Sequence, residues 1–284
     1  MTALTLPLAV VRDGASRIRT VAVFLHVYHL DLVDELARHV ARLPRNLDAD
    51  LFASVVDEAA TEKSLALIRR TLPRVRIVVC PNRGADIGGL FAVLRDGGVT
   101  RRYDAWCKIH TKQSAQCPRA QATAWRKCLL TDILGSEEVV TTCLCVIANL
   151  GAGTIGSRWC LRDSWLDPRP CHRLGIPHQT PVRFVAGTMF WASGEVLDLL
   201  LSSGISADDF AAGFVHDGRL EHAFERTFGC FPVWGSYIEP DSPEATAAYR
   251  TSIGDLSFPR LTPGARSMVT TFVAPGEVRV RIEP

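Results

Sequence analysis

Residues 75–95 read Val-Arg-Ile-Val-Val-Cys-Pro-Asn-Arg-Gly-Ala-Asp-Ile-Gly-Gly-Leu-Phe-Ala-Val-Leu-Arg, and this stretch decides the fold. The β-branched run at 75–80 is typical of a buried strand, and Pro81 ends it. A glycine-containing loop then leads into a short predicted helix over 87–95. A strand joined to a helix by a short loop is the repeating unit of an α/β sheet.

The same alternation extends to both sides of this stretch. The pattern predicts strands over 20–26, 50–56 and 103–110, with helices over 31–43 and 61–72. We therefore predict an α/β fold: an open, mostly parallel sheet with helices on both faces and a Rossmann-type nucleotide-binding half.

The second half of the chain has a less regular pattern. It predicts helices over 123–134, 136–149, 194–201 and 220–228, and strands near 151–155, 184–192 and 231–235. Residues 1–18 are expected to be irregular or weakly paired, and residues 159–178 to form an ordered loop over the sheet. The tail after 240 is expected to contain a strand at 278–282. We expect one domain over 1–240, made of a donor half (20–115) and an acceptor and catalytic half (116–240), followed by an extension over 241–284.

Composition limits the class of protein. The chain has 284 residues, 47% hydrophobic and 22% charged, which is an ordinary globular balance. A net charge of +2 gives no reason to expect a nucleic-acid partner. The 9 cysteines form no CxxC pair, which favours a reducing compartment without a disulfide framework. No signal peptide and no apolar run of about 18 residues is evident, so we expect a cytoplasmic protein with at most peripheral membrane contact, at the inner face of the membrane.

Polar residues follow three of the predicted strands. Ligands of open α/β sheets bind outside the carboxyl ends of the strands. This position alone therefore selects candidates for binding a nucleotide ligand. They are His26, Tyr28, Asn82, Arg83, Gly84, Asp86, Lys108, His110 and Lys112.

The loop at 82–86 supplies the groups that a nucleotide needs. Asn82 and Asp86 can hydrogen-bond a base or ribose, and Arg83 can donate two hydrogen bonds to a phosphate. An ordinary strand-to-helix turn with Asp86 as the helix cap explains the same residues about equally well. The glycine spacing matches neither a Walker loop nor a full GxGxxG fingerprint.

Several motifs together resemble the rhamnan synthesis protein F family of bacterial polysaccharide synthesis. They occur in family order over roughly residues 20–235. The matching stretches are His26-Val-Tyr28, Asn82-Arg-Gly-Ala-Asp-Ile-Gly88, Tyr103-Asp104, Lys108-Ile-His-Thr-Lys112, Trp125-Arg126, Ala186-Gly-Thr-Met-Phe-Trp191 and His222-Ala-Phe-Glu-Arg226.

The resemblance implies a GT-A-like glycosyltransferase. It would use a nucleotide sugar, with dTDP-L-rhamnose as the leading candidate, to extend a glycan or lipid-linked glycan such as a lipopolysaccharide O-antigen. GT-A enzymes commonly place Asp-x-Asp at the end of the fourth strand to hold a metal, whereas this chain has His110-Thr-Lys112. We therefore expect His110 and Lys112 to offset the diphosphate charge. On this view no cofactor is needed, and Mg²⁺ or Mn²⁺ is used only if the prediction is wrong.

The late helix supplies the candidate base for an inverting transfer. The resemblance favours Asp217, His222, Glu225 and Arg226 as the patterned positions. We expect Asp217 to deprotonate the acceptor hydroxyl, with Glu225 as the second choice and His110 as a further catalytic residue. A helix cap at Asp217 and a surface ion pair of Glu225 explain these residues about as well.

The stretch 186–191 is assigned to the acceptor. Gly187 and Thr188 can present backbone and hydroxyl groups to a sugar, and Trp191 can stack on its ring, although alternation predicts that either Phe190 or Trp191 is core. Trp125, Trp159 and Trp165 are further candidate platforms. His222 and Arg226 complete the expected acceptor site.

Three other functions remain as alternatives. The chain could be a non-catalytic module that binds a sugar nucleotide or assembles polysaccharide machinery. A glycoside hydrolase would need two carboxylates about 5–10 Å apart facing one sugar, whereas the predicted edge is mostly basic. A dinucleotide-dependent dehydrogenase is disfavoured, because the first strand-to-helix turn, 26–31, contains no glycine.

Overall fold

The computed structural model describes residues 3–113, 118–177, 181–213, 215, 217–236, 238–239, 267–274 and 277–283. Its helices are α1 (Leu8–Ala15), α2 (Val33–Val40), α3 (Glu62–Thr71), α4 (Ala85–Asp96), α5 (Arg119–Leu134), α6 (Glu137–Leu150), α7 (Arg169–Leu174), α8 (Gly194–Ser202) and α9 (Leu220–Thr227). Its strands are β1 (Ala3–Pro7), β2 (Thr20–Val27), β3 (Asp48–Val56), β4 (Arg76–Cys80), β5 (Ala105–His110), β6 (Thr154–Ser157), β7 (Leu161–Ser164), β8 (Val182–Val185), β9 (Phe190–Ser193), β10 (Val233–Ser236), β11 (Ile238–Glu239), β12 (Ser267–Ala274) and β13 (Glu277–Glu283).

A seven-stranded sheet in the order β10-β6-β9-β5-β2-β3-β4 forms the centre of the molecule. Strands β2, β3, β4 and β5 are parallel, and β9 runs antiparallel to both β5 and β6. Every residue of β5 is buried, as expected for a strand covered on both faces. The predicted class, an open and mostly parallel α/β sheet, is confirmed.

The strand order determines which face each helix covers. The chain runs from β2 through β3 to the sheet edge at β4, then crosses back to β5 on the other side of β2. Because such crossovers are right-handed, α2 and α3 lie on one face and α4 lies on the other. The aromatic rings of Phe91 in α4 and Phe224 in α9 meet there at 5.0 Å. The order reverses between β2 and β5, so the carboxyl ends of these two strands bound the crevice where open sheets bind ligands.

Several local predictions need correction. The segment 159–178 is not a plain loop, since it contains β7 and α7. The single strand expected over 184–192 is divided into β8 and β9 by a turn, because Gly187 and Thr188 both have positive φ angles. Residues 3–15 form β1, which pairs with β13, and α1, rather than an irregular start.

The two described ends of the chain meet in a second sheet. Strand β13, which contains the predicted strand 278–282, pairs antiparallel with β1 and with β12. Residues 241–266 of the predicted extension lie outside the described residues, and the proposed domain limits stay a prediction. Within the described ranges, no helix is both long and apolar enough to cross a membrane.

Candidate functional site

Two histidines mark the reversal point of the sheet. His26 and His110 are register partners at the carboxyl ends of β2 and β5. His26 Nδ1 lies 3.0 Å from Ser54 Oγ, and His110 Nε2 donates to the Gly187 carbonyl at 2.8 Å. Burial lowers the pKa of His26 to about 4 and that of His110 to about 3. Both rings are therefore neutral near pH 7, so His110 does not provide the positive charge that we expected of it.

Lys108 in β5 and Asp86 in α4 form a buried ion pair. The Lys108 ammonium, 1% exposed, donates to Asp86 and also to the Thr188 carbonyl and hydroxyl, each at 3.3 Å. Thr188 Oγ1 donates to the same Asp86 oxygen at 2.5 Å. Burial alone opposes ionisation, but Lys108 and these hydrogen bonds hold the pKa of Asp86 well below its usual range. Lys108 and Asp86 therefore fix protein structure here rather than facing a ligand.

The turn at 186–188 is held from several directions. Gly187 has φ 95° and Thr188 has φ 51°, and a non-glycine residue in the left-handed region is strained unless its surroundings hold it there. A Cβ on Gly187 would lie 2.8 Å from Leu129 Cδ1, so glycine is also required by packing. The turn predicted to touch the acceptor is therefore a rigid element between β8 and β9.

Glu225 on α9 also holds this turn in place. Its Oε1 accepts a hydrogen bond from the Gly187 N–H at 2.7 Å. Burial raises the pKa of Glu225, although the Gly187 N–H and the nearby Lys112 favour the ionised form. The side chain remains partly exposed, so a carboxylate with increased basicity stands at the edge of the site.

Asp217 is in a different environment. Its two oxygens accept hydrogen bonds from Arg226 at 3.0 and 2.8 Å, and the Gly218 N–H donates to it at 2.7 Å. These hydrogen bonds, led by Arg226, lower the pKa of Asp217. Arg226 also donates to Ser164 and to the His222 carbonyl. Asp217 is thus an exposed carboxylate held in an ion pair, and Arg226 connects it to the last residue of β7.

The 82–86 loop is mostly engaged with protein. The Arg83 guanidinium donates to the Phe210 carbonyl at 3.1 Å, and the Asn82 carbonyl accepts from Gly213 at 3.3 Å. Gly84 has φ 63°, and a Cβ there would lie 2.5 Å from the Phe210 ring. The glycine is therefore explained by backbone conformation and packing, which favours an ordinary turn. Asp86 is not the helix cap, because Gly84 occupies that position and Asp86 bonds Lys108 and Thr188.

Lys112 is partly exposed and Tyr28 is exposed. The Lys112 ammonium lies 4.0 Å from the centre of the Trp125 ring. The Lys112 backbone carbonyl accepts a hydrogen bond from Arg126 at 2.9 Å. The Tyr28 side chain is 46% exposed, and Thr111 Oγ1 accepts a hydrogen bond from its N–H at 2.8 Å. These two side chains can reach a ligand at the strand ends without moving the buried cluster.

Trp191 does not belong to a sugar site. It is fully buried in β9, and its Nε1 donates to the Ile133 carbonyl at 3.0 Å. The expected stacking on an acceptor is corrected to a core role: Phe190 and Trp191 are both buried, because β9 is covered on both faces. Trp165, in contrast, is 77% exposed directly after β7.

Sequence reasoning missed the partners that organise this site. Ser54 bonds His26, and Phe210 provides both the carbonyl for Arg83 and the ring that packs on Gly84. A single serine in the apolar strand 50–56 was the available signal for Ser54. Phe210 offered none, because it is more than a hundred residues from its partners.

A divalent metal does not fit the described side chains. Within the described ranges, no group of three or more His, Cys, Asp and Glu residues could hold an ion. The Asp86 carboxylate contacts β5 through Lys108, and Lys108 and Thr188 both donate to the same one of its oxygens. We therefore derive no reaction step through a metal from these residues.

The fold is that of an α/β protein with an open sheet. At the point where its strand order reverses lie the buried ion pair of Lys108 with Asp86 and the Glu225 carboxylate. The chain belongs to the rhamnan synthesis protein F family, whose sequence profile matches residues 5–151, just over half of the chain. The resemblance inferred from the motifs is thus confirmed.

Curated relatives extend the match beyond that region. The chain is similar to the uncharacterized protein WxcX of Xanthomonas campestris pv. campestris, with 27% identity over 218 residues in one strain and 26% in strain B100. The alignment covers 73% of this chain and 30% of each relative. The chain therefore spans less than a third of the length of these relatives.

Solved structures give a more distant likeness. The glucosyl-3-phosphoglycerate synthase of Mycobacterium tuberculosis is 14% identical, with a TM-score of 0.38 and coverage of 68% of this chain and 63% of that one. A structure of that enzyme with Mg²⁺ and UDP is 13% identical, with a TM-score of 0.35 over 68% and 62% of the two chains. A further one contains Mn²⁺, UDP and glucosyl-3-phosphoglycerate, at 14% identity and a TM-score of 0.35 over the same shares.

Our prediction of a metal-independent site is wrong. The synthase named above was solved with UDP and Mg²⁺, and with UDP and Mn²⁺. The physical premise also fails in this chain, because it required His110 and Lys112 to stand as two cations in place of a metal. His110 is neutral near pH 7 and is bonded to the Gly187 carbonyl.

Proposed function

We propose that this chain is a glycosyltransferase unit that moves a sugar from a nucleotide sugar onto a bacterial cell-surface glycan. Its membership of the rhamnan synthesis protein F family supports sugar transfer in polysaccharide synthesis. The observation that carries the proposal is the position of Glu225. This partly exposed carboxylate has a raised pKa and is fixed by the Gly187 N–H at the edge of the sheet where open α/β proteins bind ligands.

Glu225 is the preferred base of the proposed reaction. Sugar transfer with inversion needs a group that takes the proton of the acceptor hydroxyl as the new bond forms. Asp217 is weaker in this role because Arg226 stabilises its charged form and lowers its pKa. We therefore place Glu225 before Asp217, which reverses the order expected from the sequence. Arg226 then has the role of orienting Asp217 and the end of β7.

The donor that we propose is dTDP-L-rhamnose. Tyr28 provides an exposed ring for the base, and Lys112 provides a cation near the diphosphate. Asn82 remains a candidate for a ribose contact because its side chain is partly exposed. Lys108, Asp86 and His110 act through the protein by fixing the turn at 187–188. His26 acts through its contact with Ser54.

The acceptor in this proposal is a rhamnose-containing glycan, free or lipid-linked, such as an O-antigen. Trp165 offers a flat apolar face of the kind that stacks on sugar rings, and it follows Ser164, which bonds Arg226. Assembly at the cytoplasmic face of the membrane suits such an acceptor.

A non-catalytic binding or assembly module is the second candidate. The internal engagement of Arg83 and Lys108 favours it, since these cations would otherwise be available to a diphosphate. The two functions differ in turnover: a module binds nucleotide or glycan without transferring sugar.

Thermal denaturation with a panel of nucleotide sugars tests the proposal. Magnesium is present throughout, and dTDP-L-rhamnose is compared with dTDP-glucose, UDP-glucose and GDP-mannose. A ligand at about 100 times its Kd adds about 2.7 kcal/mol, which raises Tm by several degrees. We expect a selective rise with dTDP-L-rhamnose, followed by transfer to a rhamno-oligosaccharide. Binding without transfer supports the module, and no response to any nucleotide removes the donor proposal.

A further inference from the structure

A small apolar cluster lies outside the main core. It contains Leu166, Cys171 and Val182, with Cys230 packed against it. Cys171 is in α7, and Cys230 ends the single helical turn Phe228–Cys230 that follows α9. The two Sγ atoms are 3.4 Å apart, although 59 positions separate the residues in sequence.

The two thiols differ in access to solvent. Cys171 is completely buried, whereas Cys230 is partly exposed, and neither is in a disulfide. Elsewhere in the described chain, burial raises the pKa of Cys80 to about 11 and that of Cys143 and Cys160 to about 12. Thiols with such raised pKa values are poor nucleophiles, because the thiolate is the reactive form.

We propose that Cys171 and Cys230 form a peroxide-sensitive dithiol that closes to a reversible disulfide between α7 and the turn after α9. The exposed Cys230 reacts first. Its sulfur takes one oxygen from hydrogen peroxide as the O–O bond breaks, so the thiol is oxidised to a sulfenic acid and water is released. Cys171 then attacks the Cys230 sulfur. The S–S bond forms, the S–O bond breaks, and the departing hydroxide takes the Cys171 proton as a second water.

The disulfide would restrain the part of the chain that ends α9. Gly229 already packs closely there, since a Cβ on it would lie 2.3 Å from the Arg183 carbonyl oxygen in β8. Because this end of α9 is held in place, only the Cys171 and Cys230 side chains have to move. Their Sγ atoms need to come closer from 3.4 Å to form the bond. The step needs no part of the proposed sugar transfer, and a dithiol reductant reverses it by thiol–disulfide exchange.

Peptide mapping after peroxide treatment tests the proposal. The reduced chain is treated with hydrogen peroxide at equal concentration, the remaining thiols are alkylated, and peptides are separated without reduction. We expect a linked peptide pair containing Cys171 and Cys230. Since a disulfide that closes a long loop restricts the unfolded chain, Tm should rise by about 5 °C and return on addition of dithiothreitol.

Three variants serve as controls. Cys230→Ser and Cys171→Ser should each abolish the linked pair and the rise in Tm. Cys145→Ser is the matched control, because Cys145 is also partly exposed. It should change neither the linked pair nor the rise in Tm, since the Cys145 sulfur contacts Asn149 rather than another thiol. Because Cys171 is buried, its variant is compared only after its folding has been checked. The peptide map of the wild-type chain tests the proposal without that variant. Oxidation of Cys230 to a sulfinic acid without a cross-link, or a cross-link through other cysteines, overturns the proposal.

Discussion

The Oε1 atom of Glu225 accepts a hydrogen bond from the backbone N–H of Gly187 at 2.7 Å, joining α9 to the turn between β8 and β9. On the other side of the same residue, the Gly187 carbonyl accepts from His110. One peptide segment is thus fixed by side chains from two different elements. The relationship places a carboxylate of raised pKa beside a turn that cannot move independently of the sheet.

Replacing Glu225 by Gln tests its role as base. The amide oxygen can still accept from the Gly187 N–H, but it cannot take a proton, so kcat should fall by about 10²–10⁴-fold with little change in donor KM. The matched variant Asp217→Asn should lose less than about tenfold. Steady-state transfer assays decide between them, and a larger loss in Asp217→Asn would restore Asp217 as the base.

In the wild-type enzyme, kcat should decrease as pH falls through the raised pKa of Glu225, because the protonated carboxyl cannot act as a base. The acid limb of the profile should therefore lie above the ordinary pKa of a glutamate. A limb at or below that ordinary value would instead match Asp217, whose pKa Arg226 lowers.

Replacing Asp86 by Asn leaves Lys108 as a buried charge without a counterion. Breaking one side of such a pair costs about 3–5 kcal/mol, measurable by urea denaturation. The double variant Asp86→Asn with Lys108→Met removes both charges and should recover most of that loss. Additive losses in the two single variants would show that the ion pair is not energetically coupled.

Replacing Gly187 by Ala should destabilise the chain by about 3 kcal/mol, through unfavourable φ and the contact with Leu129. Gly98→Ala is the matched control. Gly98 also has positive φ, at 67°, but a Cβ there meets no atom within 4 Å. It should cost about 1 kcal/mol. Equal losses in the two variants would mean that packing against Leu129 adds nothing.

The neutral histidines make stability depend on pH. The pKa of His26 is about 4 in the folded chain, compared with 6.5 when unfolded. The unfolded state therefore binds more protons between these values, and stability is complete above pH 6.5 and lost as pH falls toward 4. This group alone accounts for about 3 kcal/mol between pH 7 and 4.

The variant His26→Asn isolates that contribution. Its amide can keep a hydrogen bond to Ser54 but does not titrate, so the loss of unfolding free energy between pH 7 and 4 should be smaller by about 3 kcal/mol. Denaturation at a series of pH values measures the difference. An unchanged pH dependence would assign the acid sensitivity to His110 or to other groups.

Replacing Trp165 by Ala should raise the KM for a rhamno-oligosaccharide acceptor by about tenfold, while the donor KM stays constant. Trp165→Phe keeps an aromatic face and should recover most of the affinity. Because the side chain is 77% exposed, neither change should lower Tm appreciably. An unchanged acceptor KM in the Ala variant would remove Trp165 from the acceptor site.

Local sequence patterns predicted the first half of the fold well. Each of the strands expected over 20–26, 50–56, 75–80 and 103–110 overlaps a strand of the sheet. The apolar run of β2 indicates a strand because burial on both faces removes the need for polar alternation. The β-branched residues of β4 predict an edge strand that is only partly buried. The second half was predicted less well, since β7, α7, β8 and β9 are short and the signal from a few residues is weak.

The sequence by itself determined the sheet class, the family and the set of polar residues at the strand ends. Only the tertiary structure decided how those residues are used. Thr188 meets Asp86 across 102 positions, and Glu225 meets Gly187 across 38. No local pattern encodes such contacts, and the charge state of His110 depends on its burial. In the tertiary structure Lys108 and His110 support a turn, and Glu225 is a partly exposed carboxylate with a raised pKa.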